Sequence, residues 1–291
     1  MLSIGKILLP VDFSERSLVA AREAQVLAHR FHSELTVLHV VDDLEQDGGR
    51  FEPGGSTLSS LESYLSKQLT DVLVRRVVLE GDPAENIIAY AHSEKVNMIL
   101  MASHGYGAFN ALLLGSVTAK VLAKAKCPVW TSAHTDGAPA PLFRNILCAV
   151  DLTPRCEDTL EWACEFATAC EARLFVVHAL RSLESTDEPY YPGDWLSHAE
   201  QQELHKIQTR LGAAGKVLLI GGETHEAVSG QIKKLAADLL VIGRSPQTGD
   251  FGDVKSKTYT LMRESSCPVV SVLFDPVAQI HKASFETHVT L

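Results

Sequence analysis

The feature that most constrains the fold of this chain is an internal repeat. Four landmarks of the first half return in the second half, in the same order and at a nearly constant spacing of about 140 residues. They are Lys-Ile-Leu-Leu-Pro-Val-Asp at 6–12 and Asn-Ile-Leu-Cys-Ala-Val-Asp at 145–151, Val-Leu-His-Val at 37–40 and Val-Val-His-Ala at 176–179, Gly-Asp-Pro-Ala-Glu at 81–85 and Gly-Glu-Thr-His-Glu at 222–226, and Cys-Pro-Val-Trp at 127–130 and Cys-Pro-Val-Val at 267–270. The sequence therefore predicts two copies of one domain, which 291 residues are enough to build.

The repeat sets the expected domain boundaries. Residues 1–133 are predicted to form the first domain and residues 145–275 the second. The segment 134–144 between them is rich in proline and small residues, which is typical of a short, semi-stiff linker. Residues 276–291 follow the second copy and are expected to form a C-terminal tail.

Within each copy, short apolar runs alternate with segments of helical spacing. In the first copy the runs at 4–11, 35–41, 77–79, 96–101 and 128–131 predict five strands, and Ser14 is placed to cap the first helix. Strands that alternate with helices pair in parallel and carry helices on both faces of the sheet. The predicted fold class is therefore α/β, with one doubly wound domain in each half.

One connection stands out as a candidate ligand site, the segment 102–118 between the fourth strand and the next helix. It carries Gly105, Gly107 and Gly115, and Ser116 is expected to be the N-cap of the helix. Glycines allow a backbone to approach a ligand closely, and the start of a helix presents unpaired N–H groups to an anion. The segment therefore predicts a phosphate-binding loop built from main chain.

This spacing resembles the nucleotide-binding motif of the universal stress proteins, which is Gly, two residues, Gly, nine residues, Gly, then Ser or Thr. Here the frame reads Ala102, Gly105, Gly115 and Ser116, so the first glycine is an alanine that keeps its N–H group. The repeat landmarks and the order of elements resemble a tandem universal stress protein over essentially the whole chain. The resemblance implies two flavodoxin-like domains, each with a five-stranded parallel sheet.

The resemblance also assigns a nucleotide site in the first half. It implies that Asp12 holds the ribose or a nearby polar edge and that the backbone around Val40 meets the adenine. The residues expected around the phosphates are Ala102, Ser103, His104, Gly105, Gly115, Ser116 and Val117. The implied ligand is ATP, or ADP or AMP, with or without magnesium. A second role for Asp12, as an acceptor at the start of the first helix, stays open beside the first.

The second half departs from this motif. Pro246 replaces the second glycine and lacks the N–H group that a phosphate would use. Ser256 and Lys257 stand where the third glycine and the Ser/Thr would be, and Arg244 and Lys257 remain only as isolated positive charges. The second half is therefore predicted not to bind a nucleotide.

Charge and hydropathy exclude several classes of function. A net charge of −10 and a pI near 5.6 argue against binding to nucleic acid or to an acidic membrane surface. No apolar run reaches the length of about eighteen residues that a membrane span requires. The N-terminus lacks the pattern of a signal peptide, so a cytoplasmic location is expected.

Neither the cysteines nor the histidines predict a metal site. The six cysteines show no paired metal-ligand spacing, and buried thiols in a reducing cytosol are the simplest interpretation. His39 and His178 occupy equivalent strand positions and are expected to be packed core residues.

No dedicated active site is predicted, because no motif pairs a nucleophile with a base, and at most slow ATP hydrolysis is expected. The predicted function is that of a nucleotide-responsive regulator in a stress response. A nucleotide-free scaffold or small-molecule carrier is one alternative, and a weak ATPase is another. The resemblance also implies that the edge strands 129–131 and 269–272 pair within the chain, which could then dimerise further.

Overall fold

The computed structural model describes residues 2–41, 57–103, 114–132, 143–181, 183–184, 189–191, 196–212, 215–245 and 257–274. The sequence predictions made for His104, Gly105, Pro246, Ser256 and the C-terminal tail lie outside these ranges. In the described residues, no helix is both long enough and apolar enough to cross a membrane.

The described part of the first half contains five strands and four helices. The strands are β1 (Lys6–Pro10), β2 (Glu34–Val41), β3 (Val74–Glu80), β4 (Met98–Met101) and β5 (Val129–Thr131). The helices are α1 (Glu15–Phe31), α2 (Thr57–Leu65), α3 (Pro83–Ser93) and α4 (Ser116–Lys124). Local sequence explains the helix starts: Ser14 caps α1 through the Ser17 N–H, and Asp82 caps α3, which has Pro83 in its first turn.

The second half repeats this order in its described residues. Its strands are β6 (Asn145–Ala149), β7 (Arg173–Leu180), β8 (Lys216–Gly221), β9 (Leu239–Arg244) and β10 (Val269–Leu273). Its helices are α5 (Glu157–Cys170), α6 (His198–Leu211), α7 (Thr224–Leu235) and α8 (Lys257–Glu264). Ser197 and Glu200 form a reciprocal capping box at the start of α6.

All ten strands lie in one sheet, in the order β3-β2-β1-β4-β5-β10-β9-β6-β7-β8. Within each half the neighbouring strands are parallel, and each half shows the same order, with its first strand between its second and fourth. Helices alternate with these strands in both halves, so the predicted α/β class with two tandem doubly wound domains is confirmed.

The two halves meet where β5 pairs with β10 in antiparallel register. Trp130 lies opposite Val270, and both side chains are fully buried. Two hydroxyl groups reinforce the pairing, because Thr131 Oγ1 donates to the Val269 carbonyl and Ser271 Oγ donates to the Val129 carbonyl, each at 3.3 Å. Both sheet edges that the halves would otherwise leave bare are thereby paired.

An aromatic cluster fills the core behind this junction. Phe166 on α5 packs against Phe31 of α1 at 5.5 Å and against Phe143 at 5.4 Å between ring centroids. Phe143 falls inside the segment predicted as a linker, yet it is only 3% exposed. Arg30 also crosses the junction, donating from Nη2 to the Cys170 carbonyl at 2.6 Å. The core is therefore continuous between the two halves.

Candidate functional site

The candidate site lies at the carboxyl edge of β1 and β4, which are neighbouring parallel strands. β1 lies between β2 and β4 in the sheet. The chain therefore leaves β1 toward β2 on one side and later returns to β4 on the other side, so the winding reverses between β1 and β4. In open parallel sheets this reversal leaves a crevice beyond the strand ends, where ligands bind. Asp12 follows β1 and Ala102 follows β4, so the topology brings the two predicted segments to the same edge.

Asp12 is held against the start of α1. Its Oδ1 accepts hydrogen bonds from Ser14 N at 3.1 Å, Ser14 Oγ at 2.6 Å and Ser17 Oγ at 2.7 Å. Phe13 between them adopts a left-handed φ of 61°, which turns the chain sharply after the strand. The helix-start role of Asp12 is thus present in the structure, and it fixes the carboxylate at the strand end.

Two hydrogen bonds hold the end of β4 against the start of α4. Gly115 N donates to the Ser103 carbonyl at 3.0 Å, and Thr118 Oγ1 donates to the Ala102 carbonyl at 3.1 Å. Ala102 and Ser103 are buried, at 9% and 3% exposure. The hydrogen bond between residues 103 and 115 therefore brings the two ends of the glycine-rich segment together. Thr118 was missed by sequence reasoning, since a threonine inside a helix gives no signal of a contact sixteen residues away.

The N-cap of α4 is Gly115, so the prediction of Ser116 as the N-cap is wrong by one position. Gly115 has φ −59° and ψ 143° and makes no side-chain cap hydrogen bond, while Ser116 is the first residue of the helix. A glycine cap has no side-chain acceptor for the first helical N–H groups. The N–H groups of Ser116 and Val117 thus belong to a helix start without a side-chain cap.

Val40 lies on β2, on the other side of β1 from the start of α4. Its side chain is only 8% exposed and packs in the core, so its main chain is the part that could meet a ligand. His39 beside it is 1% exposed, and its Nδ1 lies 2.9 Å from the Val11 carbonyl. His39 is therefore a packed core residue, as its strand position predicts.

The same edge of the second half opens into a cavity of about 570 Å³. Asp151 repeats the role of Asp12, since its Oδ1 accepts from Thr153 N at 3.2 Å and from Thr153 Oγ1 at 2.7 Å. His178 repeats the role of His39, with its Nδ1 3.0 Å from the Val150 carbonyl. The two halves thus share their strand-end geometry.

Arg244, at the end of β9, differs from its sequence interpretation as an isolated charge. Its guanidinium donates to the Leu122 carbonyl at 3.1 Å and to the Cys127 carbonyl at 2.7 Å, both in the first half. Burial lowers the pKa of Arg244 to about 10. Tyr259 makes a third contact of this kind, donating from its hydroxyl group to the Ala119 carbonyl at 3.3 Å. The second half therefore contacts α4 and the residues directly after it, and the N-terminus of the same helix forms the candidate site.

Within the described ranges, no group of three or more His, Cys, Asp or Glu side chains is arranged to hold a metal ion. All six cysteines are free thiols, and burial raises the pKa of each of them.

Comparison with known proteins decides the family. The sequence profile of the Universal stress protein family matches residues 3–132 and, a second time, residues 142–272. The chain belongs to the universal stress protein family. One match falls on each copy of the repeat, which confirms the prediction of a tandem member.

Single relatives align with part of the chain. Universal stress protein MJ0531 of Methanocaldococcus jannaschii is 33% identical in an alignment of 134 residues that covers 43% of this chain and 79% of that protein. Universal stress protein MJ0577 of the same organism is 32% identical in an alignment of 148 residues that covers 43% of this chain and 91% of that protein. A crystal structure of a universal stress protein from Archaeoglobus fulgidus covers 94% of this chain and 98% of its own, with a TM-score of 0.70 at 21% identity. That likeness shows the shared fold.

Proposed function

We propose that the first half binds an adenine nucleotide, ATP or its close relative ADP or AMP, at the carboxyl edge of β1 and β4. The observation that carries the proposal is the glycine-capped start of α4, held against the end of β4 by the hydrogen bond from Gly115 N to the Ser103 carbonyl. An uncapped helix start favours an anion through its free N–H groups and its dipole. Asp12 would bind the ribose, and Val40 would offer its main chain to the adenine.

The remaining members of the proposed site follow the family motif. Ala102, Ser103, Ser116 and Val117 would surround the phosphates together with His104 and Gly105 of the glycine-rich segment. Any magnesium would bind through the phosphates of the nucleotide. The bound nucleotide would act as a signal, with any hydrolysis slow and incidental.

The proposed biological role is that of a cytoplasmic, nucleotide-responsive stress regulator. The six free thiols fit a reducing compartment. The junction between β5 and β10 favours a chain that mimics a two-domain dimer of the family, and further homodimerisation is part of the proposal. A nucleotide-free scaffold or small-molecule carrier is the competing role, and a weak ATPase is the third. Nucleotide content separates the first two.

Protein purified without added nucleotide is expected to carry about one adenine nucleotide per chain, because one half keeps the phosphate-binding loop and the other lacks it. Denaturation followed by chromatography of the released small molecules measures this ratio. Two nucleotides per chain would contradict the assignment to the first half alone. A chain that carries none and does not bind ATP with magnesium would establish the scaffold role instead.

Gly115→Asp is expected to weaken ATP binding at least tenfold. Aspartate is a good N-cap, so α4 should keep its start, but the carboxylate would occupy a helical N–H group and repel the phosphates. Titration calorimetry with ATP and magnesium measures the effect. Gly115→Asn is the matched control, since it caps the helix without the charge and should bind ATP more tightly than Gly115→Asp. Equal affinity of Gly115→Asp and the unchanged protein would refute the site.

A further inference from the structure

The cavity of the second half has a chemistry that differs from that of the nucleotide motif. It lies beyond the carboxyl ends of β6 and β9, and its volume of about 570 Å³ falls within the range of small-molecule sites. Its lining includes three arginines, Arg155, Arg181 and Arg244. In the register that matches Asp12 with Asp151, the residue equivalent to Arg181 is Asp42. In the strand register that matches Met98 of β4 with Leu239 of β9, the residue equivalent to Arg244 is Ser103. Two of the three positive charges are therefore specific to the second half.

The carboxylates that line the cavity already have partners. Asp151 accepts both hydrogen bonds of Thr153, and Glu200 accepts from Ser197 N and Ser197 Oγ, each at 2.7 Å. These bonds from Ser197 lower the pKa of Glu200. Both acids thus serve to fix the start of their own helical segments.

The arginines, in contrast, have no carboxylate partner among the described residues. The Arg155 guanidinium lies 6.0 Å from the centre of the Phe274 ring, which holds it by a cation–π contact and leaves its N–H groups available. Arg181 is exposed, and no ion pair or hydrogen bond of its side chain occurs in the described part of the chain. Among the described residues of the cavity, the positive charges of Arg155 and Arg181 are therefore the ones without a counter-charge.

Two buried polar atoms at the cavity lining also lack a partner. Thr159 is 1% exposed and its Oγ1 makes no hydrogen bond in the described structure, and the same is true of Nε of Arg244, which is 7% exposed. A Cβ atom on Gly243 would lie 2.8 Å from Thr159 Oγ1. The first half has Ala20 and Ala102 at the two positions. The second half therefore gains a buried hydroxyl group at Thr159 and loses a methyl group at Gly243, directly beside it.

A buried hydroxyl group without a partner costs stability, and alanine at this position would avoid that cost. The cavity thus combines an unpartnered hydroxyl group, an incompletely bonded guanidinium and two available arginines, all of which can donate hydrogen bonds to an oxyanion. We propose that the cavity binds a small organic oxyanion, a phosphate monoester or a carboxylate, through Arg155 and Arg181. Guanidinium groups bind both kinds of oxyanion in bidentate fashion. The proposal is independent of nucleotide binding in the first half.

The test is a calorimetric titration of the full chain with three probes: inorganic phosphate, glycerol 3-phosphate and citrate. The titrations use Gly115→Asp as the background, so that the phosphate loop of the first half does not contribute. We expect saturable binding of at least one probe at one site per chain. Preference for glycerol 3-phosphate over citrate would identify a phosphate monoester as the ligand class, and the reverse preference a carboxylate.

The deciding variant is Arg155→Gln with Arg181→Gln, for which the dissociation constant is expected to rise at least tenfold. Its matched control is Arg173→Gln with Lys216→Gln, which removes two exposed positive charges from the opposite ends of β7 and β8. The control should bind within twofold of the background protein. Absence of saturable binding of all three probes, or equal weakening in both variants, would overturn the proposal. Unchanged far-ultraviolet circular dichroism and thermal midpoint show that each variant is folded.

Discussion

Phe166→Ala is expected to lower the free energy of unfolding by about 3–5 kcal/mol, the cost of removing a large aromatic side chain from a packed core. The side chain is fully buried on α5. Its ring stacks on Trp162 at 4.8 Å and contacts Trp130 of the first half at 6.2 Å, in addition to Phe31 and Phe143. Urea unfolding followed by tryptophan fluorescence and circular dichroism measures the loss.

The loss of stability should affect both halves, because the aromatic cluster around Phe166 joins them. Two of the three tryptophans, Trp130 and Trp162, contact Phe166 and lie in different halves, so fluorescence reports on both sides of the junction. Phe166→Leu is the matched control: it keeps most of the volume and should cost about 1 kcal/mol. A loss below 1 kcal/mol in Phe166→Ala would show that the cluster does not stabilise the junction.

The architecture could be predicted because its signals are local and repeated. The apolar runs at 4–11 and 96–101 contain β1 and β4, and Ser14 caps α1 as its position predicts. The recurrence of the same pattern about 140 residues later predicts a second copy of the five-stranded arrangement, and the two copies join into one ten-stranded sheet. Because the carboxyl ends of parallel strands meet at one edge of the sheet, the sequence also predicts that Asp12 and Ala102 lie at the same edge.

Contacts between the halves could not be predicted in the same way. Arg244 looks like a free cation in the sequence, but the carbonyls that it binds are those of Leu122 and Cys127, more than a hundred residues away. A carbonyl acceptor has no signature in the sequence, since every residue has one. Phe143 was likewise assigned to the linker from its neighbours, although its own ring is part of the core. The contacts and the burial of such residues depend on tertiary partners, which the local sequence pattern does not show.

The contacts of Glu23 are a further feature that the sequence did not predict. It is 4% exposed on α1, and its Oε2 accepts from Trp130 Nε1 at 2.8 Å and from Ser132 Oγ at 2.7 Å. The second half has valine at the positions equivalent to Trp130 and Ser132, Val270 and Val272. The first half therefore keeps a buried carboxyl group together with its two donors, directly beside the junction with β10.

Burial raises the pKa of Glu23 from 4.5 to about 7, against the opposing effects of the two hydrogen bonds and of the neighbouring Arg22. The Cys267 thiol also interacts electrostatically with Glu23. Because the folded protein binds this proton more tightly than the unfolded chain, the stabilising contribution is complete below about pH 4.5. It is lost progressively as the pH rises to about 7 and then stays constant, a total change of about 3 kcal/mol.

Glu23→Gln is therefore expected to remove a pH dependence from the stability of the protein. Between pH 6.0 and 8.5, both above the pI of 5.6, the Glu23 carboxyl group should cost the unchanged protein about 1.5 kcal/mol, whereas a glutamine stays neutral. Urea unfolding of both proteins at the two pH values measures the difference. Glu34→Gln, at the exposed start of β2, is the matched control and should behave like the unchanged protein. If Glu23→Gln and Glu34→Gln lost the same stability between the two pH values, the proton of Glu23 would have no part in folding.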